Sequence, residues 1–175
     1  FAPPLADSEW GTFDLVHTRF LLEHLRRPLE AVRVMVRAAR PRGRIVFQDD
    51  DHEMLRLWPE PAGFATIWQA YMRSYDRVGN DPFIGRRLVA LLHEAGARPV
   101  RNTLLHFGAC AGDPLFDTWA ENCLRVLTGA RALILREQLC DAGTWDQAIA
   151  AYREWCGRPD AAAWYGVCWA EGVKG

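Results

Sequence analysis

Acidic side chains are concentrated directly after an apolar segment, in the run Asp49-Asp50-Asp51-His52-Glu53. A carboxylate at the end of a strand could act as a general base or orient an acceptor hydroxyl or amine, and Asp50 is our candidate for that role. Carboxylates also bind hard cations, but successive strand residues point to opposite faces, so three in a row cannot converge without a bend. Solvated loop acids are the competing interpretation, and we expect no metal site.

Histidine provides a second candidate for proton transfer. His24 follows Glu23 at the start of a predicted helical turn, and histidine side chains in general titrate near physiological pH. We therefore consider His24 a candidate base, with a structural hydrogen-bonding role as the alternative. His52 and His106 are weaker candidates.

Aromatic residues recur at helical spacing in the segment after the acidic run. Phe64, Trp68, Tyr71 and Tyr75 form one stripe, and Trp58 lies shortly before it. Aromatic walls suit a flat, largely apolar small molecule, so Trp58, Trp68, Tyr71 and Tyr75 are candidate substrate-pocket residues. A stripe that simply faces the core is the competing interpretation.

The elements that must position these residues alternate along the chain. Strands are predicted at 13–17, 44–48, 100–107 and 163–173, and helical periodicity separates them. This alternation indicates an α/β fold with a layered sheet. The continuous apolar centre of 44–48 indicates burial on both faces, as in a parallel sheet. We interpret residues 1–175 as a single unit with three consecutive parts, 1–51, 52–97 and 98–175.

Composition excludes several classes of protein. The chain has 175 residues, and its 21 basic and 22 acidic residues give a net charge of −1, which argues against a basic nucleic-acid footprint. Apolar runs stay far below the ~20 residues that span a bilayer. The five cysteines are odd in number and form no C-x-x-C pair, so we expect reduced thiols and a cytoplasmic protein rather than a disulfide framework or a zinc site.

A connected series of motifs supports a family resemblance. The series reads FDLVHTRFLLEHL, then a helix start of Leu-Glu-Ala-Val after Pro28, then RAARPRGRIVFQDDD, and it spans residues 13–51. It resembles the fourth strand, the next helix and the fifth strand of class I S-adenosylmethionine-dependent methyltransferases. The run LLHEAG at 91–96 is similar to the segment before that family's sixth strand. Arg42 stands where the family usually has a glycine.

The resemblance implies a fold, an activity and a set of site residues. The fold would be a Rossmann-like sheet, mostly parallel, with an antiparallel last strand. The activity would be methyl transfer from S-adenosylmethionine to an O, N or C atom of a small-molecule acceptor. The implied cofactor-binding residues are His17, Thr18 and Arg19 at the end of strand four, and Phe1 and Ala2 on the adenine side. Alternatively, Thr18 and Arg19 only cap the next helix.

One family motif is absent from the sequence. An acidic residue followed by G-x-G-x-G after a first strand does not occur between Phe1 and Gly175, so the resemblance implies a C-terminal portion without the first three strands. The family's strand order, 3-2-1-4-5-7-6, would leave the 13–17 edge exposed. We expect a second chain, a swapped segment or an N-terminal segment to cover it.

The same absence leaves two other functional classes open. A cofactor-less binding or dimerisation module derived from a methyltransferase is the main alternative to the enzyme. A nicotinamide oxidoreductase is weaker, because its glycine fingerprint is also absent.

Overall fold

The computed structural model describes residues 5–175, so the predicted sites at Phe1 and Ala2 lie outside the described residues. Two compact units are present. The first unit contains the described residues through Asp51, together with Asn80–Leu105 and Gly166–Gly175. The second unit contains His52–Gly79 and His106–Tyr165. The subdivision of a single unit into 1–51, 52–97 and 98–175 stays a prediction.

Helices and strands alternate as the sequence predicts. In chain order the elements are β1 (Phe13–Arg19), α1 (Pro28–Ala38), β2 (Ala39–Asp50), β3 (Arg56–Trp58), α2 (Phe64–Val78), α3 (Leu88–Glu94), β4 (Ala97–Cys110), α4 (Phe116–Arg136), α5 (Ala142–Cys156) and β5 (Ala162–Lys174). Short 3₁₀ turns lie at Asp7–Glu9, Leu22–His24, His52–Met54 and Ile84–Arg87. In the part of the chain that the structure describes, no helix is long and apolar enough to cross a membrane.

Helix α1 follows directly from its sequence. Pro28 occupies the first turn, where its missing N–H costs nothing. Val32 and Val36, four residues apart, are buried on one face, while Arg33 and Arg37 are exposed on the other. The helix therefore packs its apolar face into the core of the first unit.

Strand pairing is mixed. β1 pairs with β2 in parallel, from Leu15 opposite Arg44 to Arg19 opposite Gln48. β2 pairs with β5 antiparallel over residues 44–50 and 167–173, and β4 also pairs with β5. The strands are therefore neighbours in the sequence β1, β2, β5, and β4 and β3 both pair with β5. In the second unit β3 pairs with β5, again antiparallel.

These pairings confirm an α/β fold with an antiparallel last strand, but the expectation of a mostly parallel sheet was wrong. The apolar centre of β2 was the basis of that expectation. Ile45, Val46 and Phe47 are all buried, as predicted, yet β2 has one parallel and one antiparallel neighbour. Burial on both faces depends on what covers the sheet, and it does not determine the direction of the neighbouring strand.

The start of β2 contains an irregular turn. Phe13 pairs with Ala39 but Leu15 pairs with Arg44, so extra residues bulge out between these pairs. Arg42 has a φ of +60° there, in the left-handed region where a non-glycine residue costs about 1–2 kcal/mol. The departure from the family's glycine therefore has a structural cost. A Cβ on Gly43 would lie 2.9 Å from the Phe13 carbonyl oxygen, which explains why this position is a glycine.

Each unit has its own apolar core. In the first unit the core joins the inner faces of α1, β2 and α3, with Phe47, Leu91 and Leu92 almost fully buried. The core of the second unit is largely aromatic and joins α2, α4 and α5, with Trp145 and Trp155 almost fully buried.

Candidate functional site

The carboxyl end of β1 presents the three residues that the sequence suggests for cofactor binding. Thr18 is buried, whereas His17 and Arg19 on either side of it are exposed, as the alternation of a strand requires. The guanidinium of Arg19 lies over the ring of Phe20, 4.6 Å from its centroid. Its charge is therefore held near the end of the strand and remains open to solvent.

The chain leaves β1 through a strained turn. Phe20 has a φ of +50°, and such strain persists only where the surrounding structure enforces it. The Phe20 N–H donates to the Gln48 carbonyl at 3.0 Å. The N–H groups of Leu21 and Leu22 donate to Oδ2 of Asp49 at 3.2 and 2.8 Å. Asp49 thus accepts hydrogen bonds from the free N–H groups of the turn after β1. The alternative interpretation assigned this capping role to Thr18 and Arg19.

All three acids at the end of β2 are buried. Asp49, Asp50 and Asp51 have exposed fractions of 0%, 8% and 1%, so their interpretation as solvated loop acids was wrong. The pKa of Asp49 is raised by burial, which outweighs the backbone N–H groups that it accepts. This burial reflects the close packing of the Leu22–His24 and Ile84–Arg87 turns, which the linear sequence does not show.

Asp51 forms a two-point ion pair with Arg86. The Nε and Nη2 atoms of Arg86 donate to its two carboxylate oxygens at 2.7 and 2.9 Å. Arg86 lies on the Ile84–Arg87 turn, which approaches β2 closely because Gly85 has no side chain: a Cβ there would lie 2.7 Å from Sγ of Cys168 and 2.8 Å from the Asp50 carbonyl oxygen. We assign Asp51 and Arg86 a structural role.

The two candidate catalytic residues share a neighbour, Glu23. Nε2 of His24 lies 3.5 Å from Oε1 of Glu23, and carboxylate oxygens of Glu23 and Asp50 lie within 4.8 Å of each other. Glu23 is 3% exposed and Asp50 8%, whereas the His24 side chain is about half exposed. Paired carboxylates beside a histidine are groups that general acid–base chemistry uses.

Glu23 was not among the residues selected from the sequence. The available signal was its position between Leu22 and His24 in an otherwise apolar segment. Only the packing of the Leu22–His24 turn, where the Asp81 N–H donates to the Glu23 carbonyl at 3.1 Å, brings its side chain beside Asp50.

Cys168 lies close to the acids but is not a reactive thiol. Burial, followed by the negative charges of Asp51 and Asp50, raises its pKa to about 11. The thiol is therefore protonated at neutral pH, and we assign it a packing role.

The four aromatic residues predicted to form a substrate pocket lie in the second unit, but they do not line one common pocket. Trp68 lines a cleft of about 280 Å³. Tyr71 and Tyr75 are buried with their hydroxyl oxygens 2.9 Å apart. Trp58 is 67% exposed, and its carbonyl accepts a hydrogen bond from Nε1 of Trp155. Of the four candidates, Trp68 is the one placed to touch a ligand in this cleft.

The two weaker histidine candidates have different environments. His52 is buried, its Nδ1 lies 3.1 Å from the Tyr165 hydroxyl, and the rings of Trp68, Tyr71 and Tyr75 surround it edge-on with centroids 5.2–5.6 Å away. His106 is exposed on β4. The structure therefore gives His52 a defined packing role.

Comparison with known families identifies the chain. The family model described as "Methyltransferase domain" matches residues 1–102, more than half of the sequence. This chain belongs to that methyltransferase family. The matched region includes β1, β2 and all the acidic residues discussed above, and it confirms the resemblance to class I S-adenosylmethionine-dependent methyltransferases. No curated protein matches the chain.

Several solved structures are similar to this chain. A proposed methyltransferase from Bacillus halodurans is 14% identical, with 97% of this chain and 68% of that chain covered and a TM-score of 0.52. YcgJ from Bacillus subtilis is 15% identical, with 97% and 67% covered and a TM-score of 0.46.

Phosphoethanolamine N-methyltransferase 2 from Haemonchus contortus, in complex with phosphomonomethylethanolamine and S-adenosylhomocysteine, is 12% identical, with 95% and 34% covered and a TM-score of 0.41. Across these three structures the chain therefore spans from about one third to about two thirds of the matched protein's length. At these identities the first match supports the fold alone.

Proposed function

We propose that this chain takes part in S-adenosylmethionine-dependent methyl transfer to a small-molecule acceptor, through an O, N or C atom. The observation that carries the proposal is the family match over residues 1–102, which covers the acids and the basic side chain at the ends of the parallel β1–β2 pair. In α/β sheets, ligands bind at the carboxyl ends of the parallel strands. The net charge of −1 argues against a nucleic-acid substrate.

The polar groups at the end of β1 fit one part of the cofactor. S-adenosylmethionine supplies an activated methyl group on a sulfonium, and its methionine end carries a carboxylate. The exposed guanidinium of Arg19 is a suitable partner for that carboxylate. Thr18 and His17 would complete the contacts, and Phe1 and Ala2 remain proposed contacts on the adenine side. The strained backbone of Phe20 directly follows Arg19 and fixes the path of the chain at the end of the strand.

Positioning would account for most of the rate acceleration, because methyl transfer needs sulfur, methyl group and acceptor in line. We propose that His24 or Asp50 accepts the proton that an O–H or N–H acceptor releases. Glu23, 3.5 Å from Nε2 of His24, would stabilise the protonated imidazole.

The acceptor would bind among the predicted aromatic residues Trp58, Trp68, Tyr71 and Tyr75, of which Trp68 lines a cleft. A cytoplasmic location remains our expectation, because the five cysteines are free and their pattern suits a reducing compartment. We expect neither a membrane nor a nucleic acid as partner.

Titration calorimetry tests the proposal. We expect S-adenosylmethionine and S-adenosylhomocysteine to bind the folded chain at micromolar concentration. Arg19→Met should weaken binding about tenfold, the worth of one charge-assisted hydrogen bond. Arg27→Met is the matched control, because Arg27 is exposed and pairs with Glu30 within one helical turn. Absence of heat from a folded sample would rule out cofactor binding by this chain.

A second candidate function is a binding or dimerisation module derived from a methyltransferase. The observation that favours it is the edge of β1, which in the described part of the chain pairs with β2 alone. Phe13 and Leu15 on this strand are 37% and 55% exposed, and apolar edge strands tend to pair with another chain. We propose that a second chain or an N-terminal segment covers the edge.

Light scattering with and without Leu15→Lys distinguishes this candidate. If a second copy covers the edge, the wild-type chain is a dimer and the variant is a monomer, since a lysine on an edge strand opposes pairing. A wild-type monomer would exclude the second copy.

A further inference from the structure

We infer that the cleft beside Trp68 binds an organic cation, a small molecule that carries a protonated amine next to an apolar group. This inference rests on the proposed function, since it names the chemical class of the acceptor. It is argued from the second unit alone.

The cleft has the size and the lining of a site for a small ligand. Its volume is about 280 Å³, just below the range of about 300–1,000 Å³ for pockets that hold drug-sized ligands, so it suits a smaller molecule. Phe64, Trp68 and Met72 provide apolar surface, while Glu53 and Glu60 bring carboxylates to the rim. An aromatic wall with carboxylates at its edge is complementary to a cation that has an apolar body.

The aromatic wall is held in one orientation before any ligand binds. Nε1 of Trp68 donates to the His52 carbonyl at 2.8 Å. The indole stacks on Phe64 with centroids 5.9 Å apart and an interplanar angle of 13°, and on Tyr71 at 5.1 Å and 30°. Because the ring is fixed by these contacts, a ligand that packs against its accessible part causes little additional loss of side-chain entropy.

The charges at the cleft favour a cation over an anion. Arg56 also lines the cleft, but its Nη1 donates to the carbonyls of Glu53 and Leu55, the latter at 2.6 Å. Its hydrogen bonds are thus directed at the backbone. Two carboxylates against one guanidinium leave a net negative charge, and Glu53 and Glu60 are both exposed, so their attraction for a ligand is sensitive to salt.

The test compares phenethylamine with 2-phenylethanol, a neutral molecule of nearly the same shape. Binding is followed by NMR on the indole N–H of Trp68, identified by its loss in Trp68→Phe, without S-adenosylmethionine in the sample. We expect phenethylamine to bind about tenfold more tightly, from a cation–π contact and one exposed charge pair. Raising the salt concentration should weaken binding of the amine and leave that of the alcohol unchanged.

Glu60→Gln should weaken the binding of phenethylamine about threefold without changing the affinity for 2-phenylethanol. Glu121→Gln, an exposed carboxylate on α4 that pairs with Arg125, is the matched control and should change neither. Equal affinity for the two ligands, or no shift of the Trp68 signal with either, would overturn the inference. The NMR samples contain no S-adenosylmethionine. A negative result for the amine is therefore distinguishable from a negative result in the S-adenosylmethionine titration, which tests the proposed function.

Discussion

The two units bury polar groups in different ways. In the first unit most of the buried polar side chains are carboxylates, and three of them accept hydrogen bonds from N–H or guanidinium groups: Asp49 from three backbone N–H groups, Asp51 from Arg86, and Glu171 from Arg44 and Nε1 of Trp169. In the second unit the buried polar groups belong mainly to aromatic side chains, with the hydroxyl of Ser74 as an exception. The Tyr152 hydroxyl donates to the Ala120 carbonyl at 3.0 Å, and the Tyr71 and Tyr75 hydroxyls bond to each other.

The buried polar groups of the two units also differ in charge. The pKa of Glu171 is lowered by the hydrogen bond from Arg44, so its carboxylate is charged at neutral pH. In the second unit, burial raises the pKa of the Tyr152 hydroxyl and raises that of the Cys123 thiol to about 12. Those groups stay neutral across the physiological range. We therefore expect the first unit to respond to charge changes and the second to loss of volume.

The largest expected effect is loss of volume in the second unit. Trp145 is 1% exposed, and replacing such a residue by alanine costs about 3–5 kcal/mol of unfolding free energy. Urea denaturation of Trp145→Ala, followed by circular dichroism, measures this loss. Trp164→Ala, at a site that is 49% exposed, is the control and should cost much less. Similar losses in both variants would contradict the assignment of Trp145 to the core.

Breaking the Asp51–Arg86 ion pair should have the next largest effect. Arg86→Met leaves the carboxylate of Asp51, 1% exposed, without its guanidinium. Because the guanidinium itself is about half exposed, we expect a loss of about 2 kcal/mol, below the value for a fully buried pair.

Arg87→Met is the matched control, since Arg87 pairs with Asp81 nearer the surface. Urea midpoints of the two variants at neutral pH decide the comparison. If Arg87→Met loses as much stability as Arg86→Met, the Asp51–Arg86 pair contributes no more to stability than the pair nearer the surface.

Acid should destabilise the first unit through Glu171. Its pKa is lower in the folded chain than the ordinary value of 4.5, so its contribution to stability is complete above that value and is lost as pH falls through the folded pKa. The contribution of Asp49 has the opposite pH dependence. Its pKa is raised above 3.8, so the stability of the folded chain falls as pH rises from that value through the folded pKa.

Thermal unfolding of Glu171→Gln and the wild type between pH 3 and pH 7 measures the effect. The variant should be less stable at pH 7, and the difference should narrow toward pH 3. A difference that is constant over this range would show that the charge of Glu171 is not what stabilises the unit.

The smallest expected effect is loss of a helix cap in the second unit. Asp141 accepts the Thr144 N–H at 2.9 Å at the start of α5. Asp141→Ala should lower the melting temperature less than any change above, and Asp141→Asn should restore most of it. Equal melting temperatures for the alanine and asparagine variants would show that the side-chain bond is not stabilising.

Local patterns predicted much of the fold. Pro28 and the Val32–Val36 spacing predicted α1, and the apolar runs predicted β1, β2 and β5, because helix and strand periodicity depend only on neighbouring residues. Strand direction was not predictable in this way: β2 is buried on both faces beside one parallel and one antiparallel strand.

The candidate site was predicted less completely. His24 and Asp50 were selected from residue type and from their positions at the ends of predicted elements, and the structure places Glu23 beside both. The burial of Asp49 and Asp51 was missed, because Asp49 accepts hydrogen bonds from Leu21 and Leu22 and Asp51 pairs with Arg86, residues that lie 27 to 35 positions away along the chain. Contacts at this separation leave no periodic signal in either segment.

By itself, the sequence determined most of the helices and strands, though not β3, and the family to which the chain belongs, because both depend on residue types at short, regular spacings. Only the tertiary structure decided that the acids after β2 are buried and partnered, and that Trp68 lines a cleft while Tyr71 and Tyr75 lie in the core. Burial is a property of what packs against a residue, and here those partners come from distant parts of the chain.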